Sequence, residues 1–127
     1  MFRQVDYLMV MVSDMARSIQ FYRDTLGLSL RFESPDWSEF QTGTTTLALH
    51  GGGKSMSGAH QVGEGMTAGT CSIGFNADHL DSVYEELKSK GVDFIMPPTV
   101  REDEGIRLSI CLDPDGLPIS IAESLHE

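Results

Sequence analysis

The sequence predicts an α+β protein made of two tandem halves, each containing a strand, a helix and three further strands. A pattern of capping, apolar and glycine residues in the first half returns 64 residues later, and each half has one helical apolar stripe. Because such a repeat is too long for a solenoid unit and too short for an independent domain, we predict a single domain over residues 1–127, with a ligand site where the halves meet. The repeated pairs are Asp14 and Asp78, Ser18 and Ser82, Ile19 and Val83, Gly27 and Gly91, Leu28 and Val92, and Leu30 and Phe94.

The first predicted module, residues 1–50, opens with an unbroken apolar run over residues 7–12, which is typical of a strand covered on both faces. Ser13 and Asp14 then supply side-chain oxygens that can cap a helix. Gly27 is expected to end that helix in the left-handed conformation. The helical stripe consists of Met15, Ile19, Tyr22 and Leu26. The remaining predicted strands are 28–33, 38–42 and 44–49.

The second predicted module, residues 70–127, follows the same order. Asp78 is expected to cap its helix and Gly91 to end it. A Pro-containing turn, Asp113-Pro114-Asp115-Gly116, separates the last two strands. The segment 51–69 between the modules holds seven glycines and is predicted to be a flexible connection. The helical stripe is Leu80, Val83, Tyr84 and Leu87, and the predicted strands are 70–76, 93–96, 106–112 and 119–123.

Composition excludes some classes of partner. The net charge of −10 argues against nucleic acids and anionic membranes, which require clustered Lys and Arg. The same charge is compatible with a neutral or cationic small ligand. Cys71 and Cys111 are the only two cysteines, too few for a disulfide framework. The first residues lack the pattern of a secretion signal, and no apolar run reaches membrane-spanning length, so we expect a cytoplasmic protein.

Two motifs resemble the signatures of the vicinal oxygen chelate superfamily, which contains glyoxalase I, bleomycin-resistance proteins and extradiol dioxygenases. The opening motif comprises residues 12–15 with Ser18, then Phe-Tyr-Arg-Asp at 21–24 and Leu-Gly-Leu at 26–28, and the closing motif is Asp-Pro-Asp-Gly at 113–116 followed by Ile119. The resemblance implies paired βαβββ modules whose mixed sheet forms a cup around the ligand. It also implies a homodimer, because many members are dimers.

The same resemblance identifies four positions that hold the divalent ion in metal-using members. His and Glu occupy them there, because a catalytic ion needs nitrogen or carboxylate donors. In this sequence the positions align with Tyr7, Ala48, Ser72 and Ser120. None of these except Tyr7 is a competent donor, and a protonated phenol is a poor one. We therefore expect no metal at this place and no cofactor.

Strand parity indicates which other side chains would line the cup. Met9 and Met11 share a face with Tyr7, and Asn76 shares one with Ser72. The two methionines either contact the ligand or fill the core. Tyr7 either donates its hydroxyl to a bound oxygen or plugs the vacated site.

Two further side chains are candidates with two interpretations each. Trp37, the only tryptophan, either stacks on a flat ligand, as aromatic rings do in the antibiotic-binding branch, or packs on its own hairpin. His50 lies two residues after Ala48 and therefore on the same face, where it is either a ligand-binding or general-base imidazole or an exposed strand-end residue.

Three functional hypotheses follow. The first is a metal-free binding module that sequesters a partly apolar, aromatic or cationic compound, as the bleomycin-resistance branch does. The second is an enzyme of the same superfamily, a lyase, isomerase or dioxygenase, that uses His50 and Tyr7. The third is a structural dimer whose cup is idle. The predicted ligand-binding residues are Tyr7, Met9, Met11, Trp37, His50, Ser72, Asn76 and Ser120.

Overall fold

The computed structural model describes residues 1–54 and 68–126, which belong to two compact units, Met1–Ser55 and Met56–Glu127. Each unit contains a four-stranded mixed sheet with the chain order strand, helix, strand, strand, strand. The predicted α+β class and the two βαβββ modules are thereby confirmed. The division falls inside the predicted connection, 51–69, of which residues 55–67 lie outside the described residues. Across the described ranges, no helix is long and apolar enough to cross a bilayer.

The first unit has the strand order β1-β4-β3-β2, in which β1 is parallel to β4 and the other neighbours are antiparallel. The parallel pair requires a long crossover, and the helical segment is part of it. The strands are β1 (Tyr7–Met11), β2 (Ser29–Phe32), β3 (Trp37–Thr42) and β4 (Thr45–His50), and the helical segments are α1 (Met15–Ile19) and a π-helical turn (Gln20–Thr25).

The helix of the first unit begins as the sequence predicts and continues in a way that it does not predict. Asp14 has an extended backbone, and its carboxylate accepts the Arg17 N–H at 3.1 Å, which confirms the predicted cap. After Ile19 the helix widens into a π-helical turn, where the Leu26 N–H donates to the Phe21 carbonyl five residues earlier at 2.9 Å. Gly27 then ends the segment at a φ of +81°.

The core of the first unit lies between this helical segment and one face of the sheet. Tyr22 and Phe40 are fully buried, and their rings pack with centroids 6.0 Å apart. Phe40 pairs with Leu47 across β3 and β4, so both side chains occupy the helix-covered face. Because strand residues alternate, the neighbours of these residues must occupy the opposite face.

The second unit repeats this topology with the strand order β5-β8-β7-β6, and β5 is parallel to β8. Its helix buries Leu80 and Leu87, as the predicted stripe requires. The elements are β5 (Ile73–Asn76), α2 (Leu80–Ser89), β6 (Phe94–Arg101), a 3₁₀ turn (Glu102–Glu104), β7 (Ile106–Leu112) and β8 (Pro118–Ser124).

The predicted cap of α2 by Asp78 is wrong. The residue before the helix is His79, whose side chain forms no capping hydrogen bond. The Leu80 N–H instead donates to the Glu123 carboxylate at 2.6 Å. A residue of β8 thus accepts a hydrogen bond from a backbone N–H that has no partner within the helix.

Two strands of the second unit differ from their predicted bounds. β5 starts at Ile73, three residues later than predicted. β6 continues to Arg101, well beyond the predicted end at residue 96, because Thr99–Arg101 also pair with β7 after a register shift between Met96 and Thr99. Pro97 and Pro98 fall in that shift on an edge strand, where a missing N–H breaks no ladder bond.

Candidate functional site

The face of the first sheet opposite the helix carries most of the predicted site residues of that unit. Strand pairing places side chains on this face in three rows. We call it the aromatic face, and its rows are Tyr7, Met9 and Met11 on β1, Thr46, Ala48 and His50 on β4, and Trp37, Glu39 and Gln41 on β3.

Three rings meet on the aromatic face. The Trp37 indole lies edge-on to Tyr7, with centroids 5.7 Å apart and planes at 77°, and edge-on to His50, with centroids 6.2 Å apart and planes at 89°. T-shaped arrangements of this kind are favourable because a ring edge is positive and a ring face is negative. The structure thus brings together three predicted site residues that lie far apart in the sequence, with Trp37 at the centre.

Ala48 lies between the outer rows of this face. It pairs with Met9 on one side and with Glu39 on the other, and its methyl group is fully buried. Trp37 and Tyr7 are on strands either side of β4, so their rings can meet only across the middle strand. A small side chain at position 48 leaves the space for that contact.

A carboxylate fixes the orientation of the indole. The Trp37 Nε1–H donates to Glu39 Oε2 at 2.8 Å, and Arg31 donates to the other oxygen, Oε1, through Nη2 at 2.9 Å and Nε at 3.2 Å. The Trp37 hydrogen bond and then the Arg31 hydrogen bonds lower the pKa of the Glu39 carboxyl. Glu39 is therefore ionised and paired.

Arg31 reaches the aromatic face from a β-bulge. Leu30 pairs with Phe40 while Phe32 pairs with the adjacent Glu39, so Arg31 is the extra residue of β2. A bulge redirects a side chain, and the Arg31 guanidinium also donates to Thr46 Oγ1 at 2.6 Å. The guanidinium thereby lies beside the row that begins with Tyr7.

The His50 ring has a defined tautomer. Its Nδ1 lies 2.7 Å from the Gly51 carbonyl oxygen, which can only accept, so Nδ1 carries the proton. Nε2 then has its lone pair available as an acceptor or base. The chain can turn here because position 51 is glycine: a Cβ at Gly51 would lie 2.7 Å from the Pro35 carbonyl oxygen.

Met9 and Met11 do not fill the core, so that interpretation is wrong. Their exposed fractions are 42% and 46%, and that of Tyr7 is 54%. The interleaved residues Leu8 and Val10 point to the covered face and are half-buried. Three adjacent apolar side chains of β1 are thus presented at the surface, an arrangement that marks binding surfaces in soluble proteins.

The first unit does not offer metal ligands at the family positions. Those positions hold the Tyr7 phenol and the Ala48 methyl group, and the latter has no donor atom. Within residues 1–54 and 68–126, no group of three or more His, Cys, Asp or Glu side chains could hold a metal ion. The chemistry of these residues does not fit a catalytic divalent ion.

The remaining predicted site residues lie on the second unit. Ser72 is exposed and precedes β5, Asn76 is exposed at the end of β5, and Ser120 is half-buried on β8, where it pairs with Gly74. Asn76 and Ser120 share a face with the aliphatic Leu108 and Ile110 of β7, and none of the paired residues on this face of β5, β7 and β8 is aromatic. Cys71 is exposed, whereas burial raises the pKa of the Cys111 thiol to about 12, so Cys111 is protonated and inert.

The sequence analysis did not identify Glu39, Arg31 and Phe32 as members of the aromatic face. Glu39 was detectable, because β3 begins at Trp37, one residue before the predicted strand 38–42, and residues two apart on a strand share a face. Arg31 and Phe32 were not, because a bulge reverses the parity of β2 and the sequence carries no clear sign of that bulge. Phe32 pairs with Glu39 and is 53% exposed.

An open groove elsewhere on the first unit is less suited to ligand chemistry than the aromatic face. This groove, of about 500 Å³, is lined by Met15, Ala16, Glu33, Ser34 and Pro35. Glu33 is its one charged group and it contains no ring larger than proline. It therefore lacks the convergent polar and aromatic groups that small-molecule sites combine.

Comparison with known proteins gives a family match over nearly the whole chain. A sequence model described as the Glyoxalase/Bleomycin resistance protein/Dioxygenase superfamily matches residues 4–121. This range includes both signature motifs and every predicted site residue.

Individual relatives are distant but match over more than nine-tenths of this chain. Uncharacterized protein YraH of Bacillus subtilis is 27% identical over 124 residues, which is 91% of this chain and 94% of the relative. A probable lactoylglutathione lyase of Synechocystis is 25% identical over 126 residues, 93% of each protein. The crystal structure of a glyoxalase/dioxygenase from Nostoc punctiforme has a TM-score of 0.78 at 23% identity, covering 96% of this chain and 91% of that one.

Proposed function

The chain belongs to the glyoxalase/bleomycin resistance protein/dioxygenase superfamily, and from this premise we propose that it is a binding protein that sequesters a small, partly apolar aromatic or cationic compound without a metal. The aromatic face of the first unit is the proposed binding surface. The single observation that carries the proposal is the cluster formed by the exposed Tyr7 ring with the half-buried Trp37 and His50 rings, flanked by the exposed Met9 and Met11 side chains.

A flat ligand is favoured because aromatic rings and thioethers lie side by side on the pleated surface of the sheet. Trp37 is held by Glu39, so its orientation is set before a ligand arrives, which reduces the entropy lost on binding. Met9 and Met11 are unbranched and polarisable, and they can adapt to the outline of a ring system. Tyr7 offers a hydroxyl at the edge of the same cluster.

Calorimetric titration with quinoline, a flat and partly apolar heterocycle, tests this proposal. We expect Trp37→Ala to weaken binding by roughly tenfold and Tyr7→Ala by about threefold, in line with the energies of aromatic contacts. Quinoline should also quench the emission of the wild-type protein, whose only tryptophan is Trp37.

Phe2→Ala is the matched control, since it removes an 89% exposed ring that precedes β1. Its affinity for quinoline should equal that of the wild type. The proposal fails if Trp37→Ala binds as tightly as the wild type, or if Phe2→Ala weakens binding equally.

The alternative is an enzyme, and the geometry of His50 favours it as the second candidate. The hydrogen bond from Nδ1 to the Gly51 carbonyl leaves Nε2 as a potential general base on the same face as Tyr7. The similarity to a probable lactoylglutathione lyase makes lactoylglutathione the first substrate to test. Turnover that requires His50 and is abolished in His50→Gln would replace the binding-protein proposal.

Three further expectations stay proposals. Ser72, Asn76 and Ser120 are proposed to provide hydrogen bonds to a ligand, so Asn76→Ala should weaken binding modestly, by about twofold to threefold. The protein is proposed to be a cytoplasmic homodimer. Light scattering of the purified protein at micromolar concentration tests the dimer, and a mass of one chain would refute it.

A further inference from the structure

Arg31 has a place on the aromatic face that the proposed function does not use. It donates two hydrogen bonds to Glu39 Oε1, while Trp37 occupies Glu39 Oε2. Both oxygens of the carboxylate therefore already have positive or polar donors. A positively charged ligand arriving at this surface would find the carboxylate neutralised and would meet the Arg31 cation beside it.

The wider charge distribution leads to the same conclusion. Residues 1–55 contain five Lys and Arg and six Asp and Glu, whereas residues 56–127 contain four and thirteen. The net charge of −10 thus belongs almost entirely to the second half of the chain. On the aromatic face one carboxylate is paired with one guanidinium. The negative charge of the whole protein therefore does not favour a cationic ligand at this face.

We propose that Arg31 sets the charge preference of the aromatic face, so that this face takes a flat aromatic molecule without a positive charge. The inference rests on the proposed function, which it narrows from aromatic or cationic compounds to uncharged aromatic ones. Arg31 acts by neutralising Glu39 and by excluding a second cation. Glu39 is the positioning residue that orients Trp37.

The bulge in β2 supports this role over that of an ordinary surface ion pair. The inserted residue of a bulge is aimed differently from its neighbours, and here the redirection brings Arg31 to two acceptors on two other strands, Glu39 and Thr46. The guanidinium is thus held in a defined position on the face.

A matched pair of ligands tests the inference. Quinoline is neutral at pH 8, and N-methylquinolinium has nearly the same shape with a permanent positive charge. Their dissociation constants are measured by calorimetry in 150 mM salt, where distant charges are screened. The wild type should prefer quinoline by about fivefold, the range of a single exposed charge–charge interaction, here the repulsion between the ligand cation and the Arg31 guanidinium.

Two variants should move this preference in opposite directions. Arg31→Met frees the Glu39 carboxylate of its guanidinium partner and should strengthen N-methylquinolinium binding by about fivefold, the range of an exposed ion pair, while leaving quinoline binding within about twofold. Glu39→Gln keeps an acceptor for the indole but removes the negative charge opposite Arg31. It should therefore weaken N-methylquinolinium binding below that of the wild type.

Arg23→Met is the matched control. Arg23 has the same exposed fraction as Arg31, 46%, and pairs with Asp24 on the helical segment. It changes the net charge equally, so it should leave the ratio of the two affinities unchanged.

The outcomes separate the two proposals. If the wild type binds N-methylquinolinium as tightly as quinoline or more tightly, the inference is overturned without any variant. If both ligands bind and Arg31→Met leaves their ratio unchanged, the inference is overturned and the binding surface stands. If neither ligand binds, the proposed function falls and this inference falls with it.

Discussion

The two units have the same topology but present different surfaces. Both have a parallel pair of strands followed by two antiparallel neighbours, in the orders β1-β4-β3-β2 and β5-β8-β7-β6. On the first sheet the face opposite the helix carries the rings of Tyr7, Phe32, Trp37 and His50 and an ion pair. The corresponding face of the second sheet carries Gly74, Asn76 and Ser120 together with the aliphatic Leu108 and Ile110, and none of its paired residues in β5, β7 and β8 is aromatic.

The helices differ in the same way. Asp14 caps the first helix with its own side chain, whereas the equivalent Asp78 does not, and Glu123 on β8 serves α2 instead. The first helical segment widens into a π-turn, and α2 stays regular over ten residues. A repeat in the sequence therefore preserves the path of the chain more faithfully than it preserves the side-chain interactions that stabilise that path.

This contrast has a physical basis. Strand alternation, helical stripes and terminal glycines are enforced by the backbone and by burial, so both copies keep them. Side chains on an uncovered face contribute little to folding and can change without unfolding the unit. A ligand surface can therefore develop in one copy while both copies keep the same chain path.

The largest loss of stability is expected from replacing one large buried side chain by alanine in the core of each unit. Phe40→Ala in the first unit should cost about 3–5 kcal/mol and Ile119→Ala in the second about 2–5 kcal/mol, since both side chains are fully buried. Denaturant unfolding is followed by circular dichroism and by Trp37 emission, which reports on the first unit.

If residues 1–127 form the predicted single domain, Ile119→Ala will also shift the Trp37 transition. A Trp37 midpoint that does not move would mean that the units unfold separately. Val100→Ala, at a half-exposed position of β6, is the control and should change stability by less than about 0.5 kcal/mol.

A smaller effect is expected from the two helix caps. Asp14→Ala should destabilise the protein by about 1 kcal/mol, and Asp78→Ala by less than about 0.5 kcal/mol, although the two residues are equivalent in the repeat. Glu123→Ala removes the acceptor of the Leu80 N–H and should cost roughly 1–2 kcal/mol. Equal losses for Asp14→Ala and Asp78→Ala in thermal unfolding would contradict this assignment.

The same distinction explains what the sequence could and could not predict. Element order, the two stripes and the Asp14 cap follow from local patterns, and all are confirmed. The Asp78 cap failed because Glu123 lies 43 residues away from the N–H it serves and competes through tertiary structure. The late start of β5 and the extension of β6 likewise depend on partner strands.

The part of the candidate site that depends on the alternation of strand side chains was predictable. Tyr7, Met9 and Met11 were assigned to one face by alternation, and the structure places them there. The meeting of Tyr7, Trp37 and His50 follows from the strand order, which the sequence shows only through the family resemblance. Arg31 was not predicted because it is the extra residue of a β-bulge. Strand side chains alternate with a period of two residues, and an inserted residue interrupts that alternation.

The smallest expected effect is on stability in acid, and it concerns the Glu39 carboxylate of the aromatic face. The Trp37 and Arg31 hydrogen bonds lower the pKa of Glu39. A carboxylate with a lowered pKa stabilises the folded state fully above its unfolded pKa, and this contribution is lost as the pH falls through its folded pKa. The stability difference between wild type and Glu39→Gln should therefore be constant near neutrality and shrink below the ordinary Glu range.

Trp37 emission reports this titration directly, because protonation weakens the acceptor of its Nε1–H. In the wild type the change should occur below the ordinary Glu pKa of about 4.3. Arg31→Met removes one of the two causes and should move the midpoint to higher pH, whereas Arg23→Met should leave it in place. Identical midpoints in wild type and Arg31→Met would mean that the guanidinium does not stabilise the ionised carboxylate, and the charge preference assigned to Arg31 would lose its physical basis.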